Sequence, residues 1–93
     1  MLQLSCVVRR RPEVTVRNTS TGALLIDLTT GRCWQLNRIG ADFLGEIETE
    51  RSLSEACERL EHRYTVDREV LQHDLHRLAQ ELLDAGLIDR VNG

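Results

Sequence analysis

Hydrophobic and polar residues alternate along the first 37 residues, and a period of two is typical of β-strands. In the run ALLIDL, Leu24, Ile26 and Leu28 alternate with three other residues, as expected of a strand with one buried face. The run EVTVR at residues 13–17 has the same alternation, and the turn-forming run NTSTG separates the two. Both runs are therefore predicted to be strands.

A tight hairpin is predicted between ALLIDL and the next run, RCWQL at residues 32–36. The connection TTG ends in Gly31, which can adopt the positive φ angle of such a turn. In RCWQL, Trp34 and Leu36 share one face of the strand, and Cys33 and Gln35 share the other. The three runs predict a three-stranded antiparallel sheet. An N-terminal extension of this sheet is allowed by a further alternating set: Leu2, Leu4, Cys6 and Val8.

After Asn37 the hydrophobic pattern changes to the 3.6-residue period of an α-helix. Asn37 is a favourable N-cap for a helix that ends near Glu48, and the run SLSE fits a capping box that opens a second helix. Asp67 caps a third and longest helix, which Gly86 ends in a left-handed conformation. The following run LIDRV is predicted to be a final apolar anchor. The predicted core faces of the helices contain Ile39, Phe43, Leu44, Ile47, Leu53, Ala56, Cys57, Leu60, Tyr64, Leu71, Leu75, Leu78 and Leu82, and Val70, Ala79 and Leu83 widen the apolar stripe of the third helix.

Strands followed by three helices predict an α+β fold, and the length of 93 residues predicts one domain over residues 1–93. The charged fraction is 29%, and no apolar run approaches the ~20 residues that span a bilayer. A membrane is therefore not a predicted partner. The arginines of the N-terminal segment follow its apolar stretch, the reverse of a secretory signal, so the predicted location is the cytoplasm.

No pattern in the sequence predicts catalysis, a metal site or a cofactor. His73 and His76 have the spacing i, i+3 on one helix, but the pattern supplies no third ligand, so a solvated helix face is predicted. Cys57 lies on a predicted core face, where a thiol is inert. The six glycines are isolated, which argues against a phosphate-binding loop. The chain is therefore predicted to be a binding module and not an enzyme.

The distribution of charge bears on the partner of such a module. Residues 1–38 contain six arginines and two acidic residues, whereas residues 39–93 contain six arginines and thirteen acidic residues. A winged-helix protein that reads DNA needs a basic third helix, but this helix with its cap contains five acidic residues and two arginines. Nucleic acid is therefore not a predicted partner, because acidic side chains repel phosphate. The short basic run Arg9–Arg11 is predicted to be a solvated segment.

Three other functions remain open alternatives on these observations: a winged-helix DNA-binding regulator, a homodimeric structural module and an enzyme subunit. An open edge strand can pair with a second copy of itself, so the predicted oligomeric state is a monomer or a weak dimer.

Two segments of the sequence resemble PqqD-like proteins. The run GALLIDLTTGRCWQLNRIGADFL, residues 22–44, resembles the signature G-x-VLLD-x-x-TG-R-Y-W-Q-LN-x-x-GA of the members that accompany lasso-peptide synthesis. The run SLSEACERLEHRYTVDREVLQHDLHRLAQELLDAGLI continues the resemblance through the helices to Ile88. Cys33 departs from the usual aromatic residue of the signature. The resemblance covers most of the chain, while residues 1–21 match loosely.

This resemblance implies a stand-alone recognition element for ribosomally made, modified peptides (RiPPs), with a winged helix-turn-helix-like fold, no catalytic activity and no cofactor. Such a domain adds the leader segment of a precursor peptide as a β-strand to its third strand, beside the third helix. It presents the leader to a cysteine-protease-type leader peptidase and an ATP-dependent macrolactam cyclase. A peptide chaperone of another RiPP pathway is the alternative within the same family.

The predicted leader-binding residues lie on two elements. The third strand, whose unpaired N–H and C=O groups would pair with the leader, contributes Arg32, Cys33, Trp34 and Gln35. The third helix contributes Val70, Asp74, Arg77, Leu78 and Glu81. Asp74 is predicted to be a polar anchor for the leader, and Trp34 is predicted to face either the core or the groove.

Overall fold

The computed structural model describes residues 3–91 and contains an antiparallel sheet followed by three helices, as predicted for this α+β chain. In chain order, the elements are β1 (Val8–Arg10), β2 (Val14–Thr19), β3 (Gly22–Asp27), β4 (Cys33–Asn37), α1 (Arg38–Ile47), α2 (Leu53–Arg63), α3 (Arg68–Asp84) and β5 (Ile88–Arg90). The strand predicted from RCWQL is β4, which begins and ends one residue later than predicted.

The three-stranded sheet has the order β2–β3–β4, and both strand pairs are antiparallel. In the connection between β3 and β4, Gly31 has a φ angle of +77°, as its place in the turn predicted. The Asp27 side chain accepts hydrogen bonds from the N–H groups of Thr29 and Thr30 at 2.8 and 3.3 Å. Gly22 allows β3 and β4 to approach closely, because a Cβ at this position would overlap the carbonyl oxygen of Leu36.

The sheet buries only one of its two faces. On β3, Ala23 and Leu25 are buried in the core, whereas Leu24 and Ile26 are half-buried and Leu28 after the strand is 68% exposed. The alternation along this strand correctly predicted one buried face. It did not show which face, and the buried face is the one with the smaller side-chain volume.

The predicted helix caps are confirmed. The Asn37 side chain accepts a hydrogen bond from the third residue of α1 at 2.8 Å. Ser52 and Glu55 form a capping box with two hydrogen bonds of 3.1 Å. Asp67 accepts hydrogen bonds of 2.9 and 3.2 Å from the first turn of α3, and Gly86 follows this helix with a φ angle of +77°. These local signals place the helix ends close to where the sequence predicted them.

The core between the sheet and the helices is largely aliphatic, with Phe43 as its buried aromatic residue. The helix residues predicted to lie in the core are buried, except Ile39, Tyr64, Leu78 and Leu83, which are half-buried. The prediction is wrong for Val70, which is 58% exposed because it lies in the first turn of α3, beyond the packed part of the stripe. Burial raises the pKa of the Cys57 thiol, because a thiolate is poorly solvated there. None of the helices found among residues 3–91 has an apolar stretch of the length that spans a bilayer.

A second sheet, which the sequence did not predict, pairs the two ends of the described chain. β1 is antiparallel to β5, with Val8 opposite Arg90. The N-terminal segment therefore does not extend the three-stranded sheet, and Leu4 of the alternating set lies in a turn. Leu2 lies outside the described residues. The run LIDRV forms β5 at its centre, because its backbone groups pair with β1.

The prediction of a solvated basic segment at Arg9–Arg11 is wrong. This run lies partly in β1, and Arg10 donates a hydrogen bond to Glu48 at 2.6 Å. Arg11 forms an ion pair with Glu13. The pattern missed the contact of Arg10 because Glu48 lies 38 residues further along the chain and is brought near only by the fold.

A buried carboxylate connects α1 to α2. Glu46 is only 6% exposed and accepts hydrogen bonds from Arg59 at 2.7 Å and from Arg63 at 2.8 Å. Arg51 lies 3.6 Å from the same carboxylate. A buried charge requires such partners because its desolvation otherwise costs several kcal/mol. The network therefore holds α2 against the helix that follows β4.

Candidate peptide-binding groove

β4 forms one edge of the three-stranded sheet. In an antiparallel pair of strands, hydrogen-bonded and non-hydrogen-bonded residue pairs alternate. The N–H of Asp27 donates to the carbonyl of Arg32 at 2.9 Å, which marks these two residues as a hydrogen-bonded pair. By alternation, Trp34 directs its backbone N–H and C=O towards β3, whereas Cys33 and Gln35 direct theirs to the open edge.

A groove of about 560 Å³ lies between this edge, the start of α1 and one face of α3. The lining residues from β4 and α1 are Gln35, Leu36, Asn37, Ile39 and Gly40. The lining residues from α3 are Leu71, Asp74, Leu75, Arg77, Leu78 and Glu81. Buried leucines from both sides form the floor, while exposed polar side chains form the rim. A groove with a leucine floor and a polar rim, beside an open strand edge, can accept an extended peptide.

The corner of the groove depends on Asn37 and Gly40. Asn37 ends β4 with an extended backbone and caps α1 directly, so no loop covers the strand edge. A Cβ at Gly40 would lie 3.2 Å from the Asn37 side-chain oxygen and 3.3 Å from side-chain atoms of both Leu36 and Leu78. Glycine at this position therefore allows α1 to start close to both β4 and α3.

The charged residues of the rim come from α3. Arg77 and Glu81 form an i, i+4 ion pair at 3.5 Å, but their side chains are 72% and 65% exposed, so solvent weakens the attraction. Asp74 lies about one turn earlier and has no hydrogen-bond or ion-pair partner among the described residues. Its carboxylate is therefore available to a polar or cationic group of a ligand.

The predicted site residues fall into two groups in the structure. Those that line the groove are Gln35, Asp74, Arg77, Leu78 and Glu81. Cys33 lies on the same open strand edge with an exposed side chain, but it does not line the groove. Val70 is 58% exposed in the first turn of α3 and also lies outside the lining.

Trp34 and Arg32 lie on the core side of the sheet. Trp34 is opposite Leu25 and packs against the core, so the core is the orientation observed of the two that the sequence left open. The guanidinium of Arg32 lies 5.2 Å from the centroid of the Trp34 ring, within the range of a cation–π contact. This pair supports the start of β4 and does not line the groove.

Sequence reasoning missed six lining residues: Leu36, Asn37, Ile39, Gly40, Leu71 and Leu75. The leucines were assigned to the core, and they are buried, but the core surface continues into the floor of the groove. The cap signal at Asn37 was visible in the sequence. Asn37 lines the groove because α3 lies next to it, and the sequence pattern does not show where α3 packs.

A second pocket, of about 410 Å³, lies between the N-terminal segment and α3. Its lining includes Gln3, Glu69, His73 and His76. Within residues 3–91, no group of three or more His, Cys, Asp or Glu side chains is placed to hold a metal ion.

The family model of coenzyme PQQ synthesis protein D (PqqD) matches residues 22–88 of the chain. The chain belongs to the PqqD family. The matched segment contains β3, β4 and all three helices, so it includes each element that lines the groove of this PqqD-family protein. The resemblance that the sequence motifs indicated is therefore confirmed.

Two solved structures are similar to this PqqD-family chain. Lasso peptide synthetase B1 complexed with the leader peptide matches with a TM-score of 0.79 and 29% identity, over 89% of this chain and 98% of that one. TbiB1 in complex with the TbiA(beta) leader peptide matches with a TM-score of 0.78 over 87% and 94% of the two chains. At 21% identity, this second likeness shows the fold alone. No curated protein matches the sequence.

Proposed function

We propose that this PqqD-family protein binds the leader segment of a ribosomally made precursor peptide and does not itself catalyse a reaction. The leader adds as a strand to β4 and lies in the groove beside α3. The observation that carries this proposal is that the backbone groups of Cys33 and Gln35 face an open edge directly beside a groove with a leucine floor and a polar rim. The backbone then supplies affinity, and the groove selects the side chains.

The similarity to lasso peptide synthetase B1, whose solved structure contains a leader peptide, supports the lasso pathway as the setting. In that setting the protein presents its bound leader to a cysteine-protease-type leader peptidase and to an ATP-dependent macrolactam cyclase. It acts in the cytoplasm and needs no cofactor.

The geometry of strand addition explains how one short edge can select a sequence. Alternate residues of an added strand point to the same side and lie about 7 Å apart. One set of leader side chains therefore faces the groove, where Leu71, Leu75 and Leu78 favour apolar residues. Asp74 on the rim is the polar anchor for the leader. The exposed acidic charge of α3 also disfavours binding to nucleic acid.

The test is the fluorescence anisotropy of a labelled leader peptide, titrated with the protein and with proline variants of the edge. Cys33→Pro and Gln35→Pro each remove one N–H that would bond to the leader, so each weakens binding about tenfold or more. The core segment of the same precursor serves as the peptide control and does not bind. Circular dichroism checks that each variant is folded.

Asn18→Pro is the matched control on the opposite edge of the same sheet. The N–H of Leu28 donates to the carbonyl of Glu13 at 2.9 Å, so alternation directs the backbone groups of Asn18 to the open side of β2. This variant removes an equivalent edge donor far from the groove and keeps wild-type affinity. A folded wild-type protein that shows no saturable leader binding would overturn the proposal. Equal weakening by Asn18→Pro would mean that the edge variants act through stability and not through strand addition.

A further inference from the structure

Glycine at position 40 is not required by the backbone of α1. Gly40 is the third residue of this helix and its φ angle is not positive, so alanine fits the same backbone conformation. Alanine would also keep the N–H that donates to the Asn37 side chain at 2.8 Å. Glycine inside a helix is less favourable than alanine, because it loses more conformational freedom on folding. The reason for glycine here therefore lies in the space around it.

Three neighbouring atoms fill the space beside Gly40. A Cβ at this position would lie 3.2 Å from the Asn37 side-chain oxygen, 3.3 Å from Leu36 Cβ and 3.3 Å from Leu78 Cδ2. Each of these distances is shorter than an ordinary van der Waals contact. Gly45 in the same helix has no atom within 4 Å of the equivalent Cβ position. A methyl group would therefore compete for room at position 40 and not at position 45.

Leu36, Gly40 and Leu78 meet where three elements of the groove come together. We define these three residues, from β4, α1 and α3, as the inner corner of the groove. Leu36 is 7% exposed and is held by the pairing of β4 with β3. Leu78 is half-buried, and it lines the groove. Leu78 is therefore the member of the corner that can shift, and the open groove is the direction in which it can do so.

A peptide strand added to β4 brings one side chain to this corner. Residues directly opposite each other in neighbouring strands have their side chains on the same face of the sheet. Leu36 lies opposite Ala23 and is buried on the face that packs against the helices. The leader residue opposite Leu36 therefore also points to that face, next to Leu78.

We propose that Gly40 fixes the size of the leader side chain accepted at the inner corner, an inference that rests on the proposed leader binding. With glycine at position 40, Leu78 lies close against α1, and the space in front of it holds one bulky apolar side chain. A methyl group would displace Leu78 by a few tenths of an ångström towards the groove and reduce that space. Gly40 is therefore a positioning residue, which acts on the leader through Leu78.

The experiment measures the leader affinity of Gly40→Ala by fluorescence anisotropy, with Gly45→Ala as the matched control in the same helix. Gly40→Ala is expected to raise the dissociation constant about tenfold, because a well-packed apolar contact tolerates little loss of space. Gly45→Ala keeps the wild-type affinity. Circular dichroism and urea denaturation check that both variants are folded.

A second substitution tests whether the effect passes through Leu78. Leu78→Val removes the Cδ2 atom that the new methyl group would contact, and it leaves Leu36 and Asn37 unchanged. Alone it is expected to weaken binding about threefold, because it removes one apolar carbon from the groove. The double variant Gly40→Ala/Leu78→Val should also bind about threefold more weakly than wild type, and hence more tightly than Gly40→Ala. A purely structural role of Gly40 would not give this recovery.

Variants of the leader peptide test the selection by size. Each apolar residue of the leader is replaced in turn by alanine, and every peptide is titrated with wild type and with Gly40→Ala. One alanine peptide is expected to bind the two proteins equally, since its shortened side chain no longer needs the space at the corner. The other peptides should retain the difference of about tenfold. Leu78→Phe narrows the corner from α3 and should show the same pattern, which keeps the test decisive where Gly40→Ala does not fold.

Three outcomes would overturn the inference. Wild-type affinity of a folded Gly40→Ala variant would show that the contact with Leu78 does not limit the site. Additive losses in the double variant would assign the effect of Gly40 to Leu36 or to the Asn37 cap. An equal loss for every alanine peptide would indicate a change of the whole domain and not of one corner. Failure of the proposed function is distinguishable, because the wild-type protein would then bind no leader in the same titration.

Discussion

The two edges of the three-stranded sheet, β2 and β4, differ in what surrounds their outward backbone groups. On β2, the N–H of Val14 donates to the carbonyl of Arg11 at 3.0 Å, and the Val14 carbonyl accepts a hydrogen bond from the Arg10 side chain. The start of this edge is therefore occupied from within the chain. On β4, the outward groups of Cys33 and Gln35 face an open edge next to the groove.

This difference shows that an open strand edge alone does not make a selective binding site. Both edges carry N–H and C=O groups that any extended chain could pair with. Only β4 combines them with a set of apolar side chains from α3, so only β4 can distinguish one peptide sequence from another. The helix, more than the strand, is expected to set specificity.

The largest expected effect comes from separating β4 from β3. In Gly22→Ala, the new Cβ would overlap the backbone carbonyl of Leu36, which a rotamer change cannot relieve. We expect the free energy of unfolding to fall by about 2–3 kcal/mol, measured by urea denaturation. Leader binding at β4 should weaken in the same variant, because the edge strand shifts.

Gly45→Ala is the control for this glycine substitution. A Cβ at Gly45 has no atom within 4 Å, and the residue is exposed in α1. Alanine here should raise the free energy of unfolding by about 0.5–1 kcal/mol, because it restricts the unfolded chain and favours the helix. Equal stability of Gly22→Ala and the wild type would contradict the close approach of the two strands.

The next effect concerns the groove and compares two residues of α3. Leu78 is half-buried in the groove, whereas Val70 is 58% exposed outside it. Leu78→Ser should raise the dissociation constant of the leader about tenfold, and Val70→Ser about twofold at most. Anisotropy titration of both variants checks this. If the two substitutions weakened binding equally, the peptide would extend along α3 past the groove.

The smallest expected effect is that of the charged rim. Asp74→Asn removes one exposed charge and should weaken leader binding about two- to fivefold at low salt, because exposed ion pairs contribute only about 0.2–1 kcal/mol. The difference in affinity between Asp74→Asn and the wild type should shrink in about 0.5 M salt, because salt screens the attraction between exposed charges. Asp84→Asn at the far end of α3 is the control. Unchanged affinity would remove Asp74 from the site and leave strand addition intact.

Local signals predicted much of the fold, and long-range contacts account for what they missed. Gly31 and Asn37 fixed the turn and the helix start, because turn geometry and capping involve residues close in the chain. The pairing of β1 with β5 was missed, because each strand is only three residues long and the two lie far apart in the sequence. The buried Glu46 was missed for a similar reason, since its arginine partners lie 13 and 17 residues further along the chain.

The candidate site was predicted in part. The sequence indicated both elements of the groove, and Gln35, Asp74 and Leu78 lie where a peptide on β4 would meet them. The sequence could not show that Val70 lies outside the groove while Asp74 and Leu78 line it. The helical period repeats along the whole of α3 and does not show where the groove ends. The role of each residue in leader binding stays a prediction, as does the extent of the domain over residues 1–93.

The sequence by itself determined the order of the elements, their caps and turns, and membership of the PqqD family, because these depend on short-range patterns and motifs. Only the tertiary structure decided which face of the sheet is buried, that the ends of the chain pair, and that α3 lies beside the open edge of β4. Alternation along a strand defines two faces equally well, and the helices that pack on one of them choose between the two. The packing of α1 and α3 beside β4 also forms the groove at the open edge of this strand.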